Sequence, residues 1–95
     1  MSDTKPLKGV FEMMIERYKM KNHFKVEQIK SVWEEVVGTY IANYTEKLVV
    51  KDYVLHVKIK SPELRNELQY AKSKLIQNLN NQIGEYYIKD IELFR

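Results

Sequence analysis

Residues 26–45 read VEQIKSVWEEVVGTYIANYT, and the spacing of their apolar members decides how the rest of the chain must be arranged. Val26, Ile29, Trp33, Val36, Val37, Tyr40 and Ile41 recur at three- and four-residue steps, so they line one side of a helix. Glu27, Lys30, Glu34 and Glu35 fall mostly on the other side. Trp33 is the only tryptophan. A side chain of that size buries on the order of 200 Å², and its truncation to Ala is expected to cost about 3–5 kcal/mol. Gly38 interrupts the pattern, either by ending the helix or by allowing a close backbone approach, before residues 40–44 continue as another turn.

Upstream of this stretch, residues 1–5 are expected to be a frayed start, with Pro6 at the first helical position. Leu7, Val10, Phe11, Met14, Ile15 and Tyr18 then recur with helical period and predict an amphipathic helix whose apolar side joins the core. Residues 19–25, KMKNHFK, lack that pattern and are expected to form a connector, with Lys19 and Lys21 complementing the dipole of the preceding helix.

Downstream, EKLVVKDYVLHVKIK (residues 46–60) alternates with period two and predicts two half-buried strands joined near Asp52–Tyr53. A two-residue turn sets Val50 opposite Leu55 and Leu48 opposite Val57 on the inner face. On the outer face it sets Lys51 opposite Val54, Val49 opposite His56 and Lys47 opposite Lys58. A tight hairpin favours glycine where Tyr53 stands, so a longer loop or a bulge is the alternative. Ser61-Pro62-Glu63 is a helix start: the serine caps, the proline takes the first helical position, and the glutamate sits in the positive first turn. Leu64, Leu68, Ala71, Leu75, Leu79 and Ile83 form the buried stripe of that helix, and Gly84 ends it. YYIKDIELFR (86–95) reads as a last strand with an irregular entry and with Ile91 and Leu93 inward.

The expected architecture is one α+β domain over residues 1–95, in the order helix-helix-strand-strand-helix-strand. Three helices, Leu7–Tyr18, the Trp33 helix and Leu64–Ile83, cover one face of a three-stranded sheet. Leu48, Val50, Leu55, Val57, Ile59, Ile91 and Leu93 supply the sheet side of the core. A chain of 95 residues with 44% hydrophobic and 12% aromatic content can bury such a core without staples.

Composition narrows the function. Without cysteine there is no disulfide, thiolate metal site or thiol nucleophile. Nothing near Met1 resembles a signal peptide, and no apolar run reaches the roughly 18 residues of a membrane span. A soluble, cytoplasmic protein without membrane contact is therefore expected, with nucleoid association allowed. His23 and His56 lie in different elements without a partnered carboxylate at motif spacing, and Glu34 and Glu35 splay apart on a helix. Gly9, Gly38 and Gly84 are too far apart to cradle a phosphate. No enzyme, metal or cofactor is expected. Net charge is +3 with an isoelectric point near 9.0, which permits an anionic partner without requiring one.

The basic residues are more informative. Lys47, Lys51, Lys58 and Lys60 share the outer face of the hairpin, Arg65 follows at the start of the next helix, and Lys72 and Lys74 lie further along it. Like charges directly opposite across two strands repel. Either Lys47 and Lys58 both extend into water and guard an edge against aggregation, or something anionic sits between them. Tyr53 and Tyr70, next to cations, are candidates for stacking an unpaired base. The other tyrosines, Tyr40, Tyr44, Tyr86 and Tyr87, belong in the core or its rim.

Trp33-x-x-Val36-Val37-Gly38, then Ile41-Ala42, then Thr45, resembles the signature of the bacterial DciA family. The resemblance continues through Leu48, Val50, Asp52, Leu55 and Val57 of the hairpin, Ser61-Pro62, Leu64 and Leu68 of the next helix, Asn80, and Ile91-x-Leu93. It spans nearly the whole chain, with Tyr53 in place of the family's usual turn glycine. The resemblance implies a K-homology-like domain that helps recruit or load the replicative helicase in DNA replication and has affinity for DNA. The G-x-x-G loop of authentic K-homology domains is absent from the sequence, so binding through that loop is not implied. Ending at Arg95, directly after its last strand, the chain is expected to be the bare domain without the further segment many members carry.

Two functions follow as expectations. In the first, the protein is a non-enzymatic replication accessory factor that binds nucleic acid, single-stranded DNA above all, through Lys47, Lys51, Lys58, Lys60, Arg65 and Lys72. Five neutralised phosphates on a single strand would give a log–log salt slope of about −3.5. In the second, it is a protein–protein adaptor without direct nucleic-acid contact, whose partner (the replicative helicase, by the resemblance) engages an apolar surface that includes Met20, Phe24, Tyr53 and Tyr70.

Overall fold

No glycine or proline stands between Val10 and Val37, and the run is rich in Lys, Glu and Met, good helix formers. In a computed structural model describing residues 5–95, with side chains from residue 9 onward, that run belongs to one helix, α1 (Lys5–Val37). Of the frayed start expected at residues 1–5, Lys5 is already helical, while residues 1–4 and the inward placement expected of the Leu7 side chain lie outside what is described. At 1.5 Å per residue α1 is about 50 Å long, which sets the 61 Å long dimension of the molecule.

The connector expected at residues 19–25 is therefore helical. Its helical seam was hidden because two seam positions are polar, Asn22 and Lys25. Both are partnered in the fold. Asn22 donates from Nδ2 to the Val50 carbonyl (3.2 Å) and accepts from the Tyr87 hydroxyl (2.7 Å). Lys25 meets the Glu85 carboxylate and lies 6.0 Å from the centre of the Tyr87 ring. Lys19 and Lys21 lie mid-helix rather than at a C-terminus, and Lys21 reaches Glu85 as well (3.8 Å).

Only the second half of α1 is covered. Ile29 and Trp33 are buried, whereas Val10, Phe11, Met14, Ile15 and Tyr18 are 39–63% exposed. The amphipathic first half thus forms as a helix but does not join the core, because the sheet beneath α1 is too short to reach it.

Gly38 ends α1 at φ 92°, a conformation that favours glycine. A short α2 (Thr39–Tyr44) follows. Within this corner the Trp33 indole N–H donates to Thr45 Oγ1 (2.9 Å), and the threonine hydroxyl donates to the Ile41 carbonyl (2.9 Å). Tyr40 and Tyr44, expected at the core or its rim, are 66% and 45% exposed and stack edge-on against each other.

Three strands, β1 (Thr45–Lys51), β2 (Val54–Ile59) and β3 (Asp90–Phe94), form a sheet in the order β1-β2-β3. β1 and β2 are antiparallel, and β2 and β3 are parallel. The hairpin has the register expected from a two-residue turn, from Lys51 opposite Val54 to Lys47 opposite Lys58. Asp52 and Tyr53 both take positive φ, 52° and 66°, as a mirror-image turn requires. The bulge is at the other end of the strand, between Thr45 and Lys47.

Ser61 caps α3 (Pro62–Tyr70), its Oγ accepting from the Leu64 N–H (3.3 Å). The long helix expected from Leu64 to Ile83 is divided: Ala71 (φ −101°, ψ 10°) separates α3 from α4 (Lys72–Ile83) and is exposed rather than buried. Gly84 ends α4 in the left-handed conformation at φ 88°. Residues 85–89 precede β3 as irregular chain, which shortens the expected last strand to Asp90–Phe94. Asn80 holds this segment: it is 7% exposed, accepts from the N–H groups of Tyr87 (3.1 Å) and Ile88 (2.8 Å), and donates to the Ile88 carbonyl (2.9 Å). The fold is α+β. Its core packs Ile29, Trp33, Leu64, Leu68, Leu75 and Leu79 from the helices against Val50, Leu55, Val57, Ile59, Ile88 and Ile91.

Candidate nucleic-acid interface

The helices cover one face of the sheet and leave the other open. Side chains alternate along a strand, so burying Val50, Leu55, Val57, Ile59 and Ile91 turns Lys47, Val49, Lys51, His56, Lys58, Glu92 and Phe94 outward. Register arranges them in rows across the three strands: Lys47, Lys58 and Phe94; Val49, His56 and Glu92; Lys51, Val54 and Asp90. The floor is apolar in part, with Val49 38% and Phe94 40% exposed. A shallow concavity of about 350 Å³ lies here, lined by Lys47, Val49, Lys51, His56, Glu92 and Phe94.

Charge on this face is divided. Lysines occupy β1 (Lys47 and Lys51) and β2 (Lys58), while the carboxylates of Asp90 and Glu92 lie on β3. Among the described residues no carboxylate comes within ion-pair distance of Lys47, Lys51 or Lys58. The other three expected contacts are engaged within the protein. Lys60 pairs with Glu46 (3.4 Å), and Lys72 pairs with Asp90 (3.8 Å). The Arg65 guanidinium donates to the Ile59 and Lys60 carbonyls, satisfying the end of β2. The structure therefore puts Lys47, Lys51 and Lys58 on one face without a described carboxylate partner, and gives Lys60, Arg65 and Lys72 partners within the protein.

His56 does gain a carboxylate, Glu92, 3.8 Å from its Nδ1. The parallel pairing of β2 with β3 makes that contact, and nothing local in the sequence signals it. His23 is exposed on α1, beside Phe24. Among the described residues no group of three His, Cys, Asp or Glu side chains is arranged to hold a metal ion. No described helix is long and apolar enough to cross a membrane.

The two expected stacking tyrosines differ. Tyr53 is packed: its ring meets Tyr87 and Tyr18 edge-on at 5.3 and 6.3 Å, and Lys89 Nζ lies 5.0 Å from its centre. The ring is half-buried with Lys89 over it, which leaves less of it open than a stacking platform needs. Tyr70 is 94% exposed at the end of α3, away from the lysine rows. Phe94, which sequence reasoning did not single out, lies across the register from Lys58.

Titration is perturbed elsewhere. The hydrogen bond from Lys25 and the charges of Lys21 and Lys25 hold the Glu85 carboxyl below its ordinary range, against some desolvation. The Glu63 carboxyl is lowered by its backbone hydrogen bond at the start of α3, by the Ser61 hydroxyl and by Arg65. Burial, helped by its neighbours Tyr18, Tyr53 and Glu85, raises the Tyr87 hydroxyl.

Comparison with known proteins places this geometry in context. The family model described as Dna[CI] antecedent, DciA matches residues 6–93, nearly the whole chain. No curated protein and no solved structure matches it.

Proposed function

The chain belongs to the DciA family, a family of replication accessory proteins associated with the replicative helicase, and from that premise we propose that it binds single-stranded DNA on the open face of its sheet while helping to place the helicase. One observation carries the DNA-binding half of this reading. Lys47 and Lys58 stand directly opposite each other with no described carboxylate to neutralise them. Such a pair repels, and a phosphate between the two ammonium groups converts repulsion into attraction. Lys51 on the same face extends the track, and Phe94 and Val49 give the bases an apolar floor. Arg65 and Lys72 are excluded from the contact set by their partners within the protein, and Lys60 contributes after exchanging Glu46 for a phosphate.

Anisotropy titration with a labelled strand of about 20 nucleotides, longer than the roughly 4–16 that one small domain covers, tests the reading. Three to four neutralised phosphates give a log–log salt slope of about −2 to −3. Reversing charge in the Lys47→Glu, Lys58→Glu double variant is expected to weaken binding roughly tenfold or more, equally across sequences. Wild-type affinity in that variant would sink the proposed face.

A protein-adaptor reading is favoured by a separate feature. Met13, Met20 and Phe24, at helical steps of seven and four, are 54–63% exposed on the side of α1 opposite its core seam. A helicase contact there would be insensitive to salt and to Lys58→Glu, and lost in Phe24→Asp. A pull-down of the helicase with each variant separates the two.

A further inference from the structure

β1 is an edge strand, hydrogen-bonded to β2 on one side and to no described strand on the other. The parity of the hairpin decides which of its backbone groups face outward. Lys51 and Val54 flank the two-residue turn and exchange both bonds of a closely spaced pair. Val49 with His56 and Lys47 with Lys58 repeat that pairing, so the N–H and C=O groups of Leu48 and Val50 point away from β2. The Val50 carbonyl agrees with this parity, since it accepts from Asn22 of α1 (3.2 Å). Leu48 differs, because no described group outside β2 hydrogen-bonds its N–H or its C=O. Leu48 lines a groove of about 590 Å³ that runs between β1, the α1 wall at Lys30, Trp33 and Glu34, and Ala42 and Asn43 of α2.

We infer that this groove takes a short extended peptide of a protein partner, added to β1 at Leu48, with acidic side chains on either side of an apolar one. Three features select this occupant. The first is the unpaired N–H and C=O of Leu48, which match the donor and acceptor of an extended peptide chain. The second is length. Asn22 closes the edge at Val50, and the bulge between Thr45 and Lys47 closes it at the other end. The open span of five residues is about 15 Å long, room for a segment of four or five residues. The third is side-chain chemistry. A peptide residue opposite Leu48 shares its inner face and lies towards half-buried Leu48 and buried Trp33, which favours an apolar side chain. Its two neighbours share the outer face with Lys47 and Val49, and reach Lys51 diagonally. Neither Lys47 nor Lys51 has a described carboxylate within ion-pair distance. On the helical wall Lys30 and Glu34 oppose each other in sign, so the outer lysines select acidic neighbours.

Other occupants fit the edge less well. A second copy paired antiparallel through Leu48 sets its residue 46 against Val50, in the place Asn22 of α1 already holds. It also brings the two Lys47 side chains to diagonal positions, where they repel. A phosphodiester backbone offers acceptors only and leaves the Leu48 carbonyl unpaired. Lysines and bulges keep a strand edge from pairing with its like, and here they leave it open to a short acidic strand. The inference does not rest on the DNA binding proposed above, although the two ligands compete for Lys47.

Amide NMR spectra of the isotope-labelled full chain, titrated with the blocked pentapeptide Ser-Glu-Val-Glu-Ser, test the inference. In the free protein the Leu48 amide hydrogen is expected to exchange with solvent faster than those of Lys47 and Val49, which bond to β2. Saturating peptide shifts the amides of residues 45–49 and slows Leu48 exchange at least tenfold. Strand addition has its own signature, because only alternate peptide N–H groups face β1. Methylating the amide nitrogen of the valine, or of the glutamate that follows it, weakens binding at least fivefold at one of the two positions and little at the other. Replacing both glutamates by lysine abolishes binding. All these changes are made in the peptide, so the fold of the protein is untouched. Equal effects of the two methylations overturn strand addition, and a lysine peptide that binds as well overturns the acidic partner. A peptide that shifts none of these amides overturns the site. Shifts of the same amides on dilution of the protein alone overturn it in favour of a second copy. Shifts produced by a strand of about 20 nucleotides and not by the peptide overturn it in favour of nucleic acid.

Discussion

At the scale of single residues, buried polar atoms account for the shape of this small domain more than its largest apolar side chains do. Asn80 is the clearest instance. Its amide closes three hydrogen bonds onto Tyr87 and Ile88, and those bonds fix the irregular chain that delivers β3 to the sheet. Asn80→Ala leaves two N–H donors and one carbonyl without partners in a buried site, and each such group costs about 1–3 kcal/mol. A loss of about 3 kcal/mol or more is expected in urea unfolding, larger than a surface substitution can produce. Glu85 acts from the exposed side of the same segment by accepting Lys21 and Lys25 of α1. Its carboxyl is held below the ordinary value by the Lys25 hydrogen bond and by the two lysine charges. Because the folded value lies below the unfolded one, the clamp's contribution is complete above about 4.5 and disappears as pH falls through the folded value. The melting-temperature difference between wild type and Glu85→Gln should therefore be present at neutral pH and shrink to nothing in acid. A difference that does not shrink as the pH is lowered would show that Glu85 acts through packing and not through charge.

At the scale of elements, the hairpin shows which competing term decides. A mirror-image turn places Asp52 and Tyr53 at positive φ, and a non-glycine residue there costs about 1–2 kcal/mol. Tyr53 is nonetheless held by the Tyr87 and Tyr18 rings, by Lys89 over its face, and by its own carbonyl, which accepts the Lys89 N–H at 2.8 Å. Each edge-on ring pair contributes about 0.5–1.5 kcal/mol beyond area burial. Tyr53→Gly therefore relieves strain yet removes more than it relieves, and a net destabilisation of about 1–2 kcal/mol is expected in chemical denaturation. A more stable variant would mean that the aromatic cluster contributes little. The hairpin's register was legible in the sequence because period-two alternation admits one pairing for a two-residue turn, and the Ser61 cap and the Gly84 stop were legible because each is a local backbone requirement. Three features were not. α1 passes through KMKNHFK because Asn22 and Lys25 serve the seam by hydrogen bond and ion pair, which an apolar pattern cannot register. The break at Ala71 falls on an exposed residue with high helix propensity, so nothing local in the sequence marks it. The solvent exposure of Val10 to Tyr18 depends on how far the sheet extends, and periodicity alone does not contain that length.

At the scale of the whole molecule, the sheet divides it into a helix-covered side and an open side, and α1 projects beyond both. The basic residues were legible as a set, but their partners were not: Arg65 is hydrogen-bonded to backbone carbonyls, Lys60 and Lys72 are ion-paired, and Lys47, Lys51 and Lys58 face outward without a described carboxylate. The parallel addition of β3 also brings Asp90 and Glu92 onto the same face, opposing the lysines a strand or two away. If the open face is where DNA lies, its phosphates must follow the lysines of β1 and β2 and keep away from Asp90 and Glu92, and Glu92 limits affinity by repulsion. Glu92→Gln removes one negative charge at a side chain that is 64% exposed. At about one strand spacing plus solvent, two like charges in water repel by roughly 0.5–1 kcal/mol, which corresponds to about two- to fivefold tighter binding at low salt. The gain should fade as salt rises and the screening length contracts. Glu27→Gln, the same charge change on α1 where Glu27 pairs with Lys30 (3.6 Å), serves as the control. Equal gains from the two variants would assign the effect to net charge alone. A gain confined to Glu92→Gln would place the nucleic acid on the open face, since only a ligand lying there is within reach of that carboxylate.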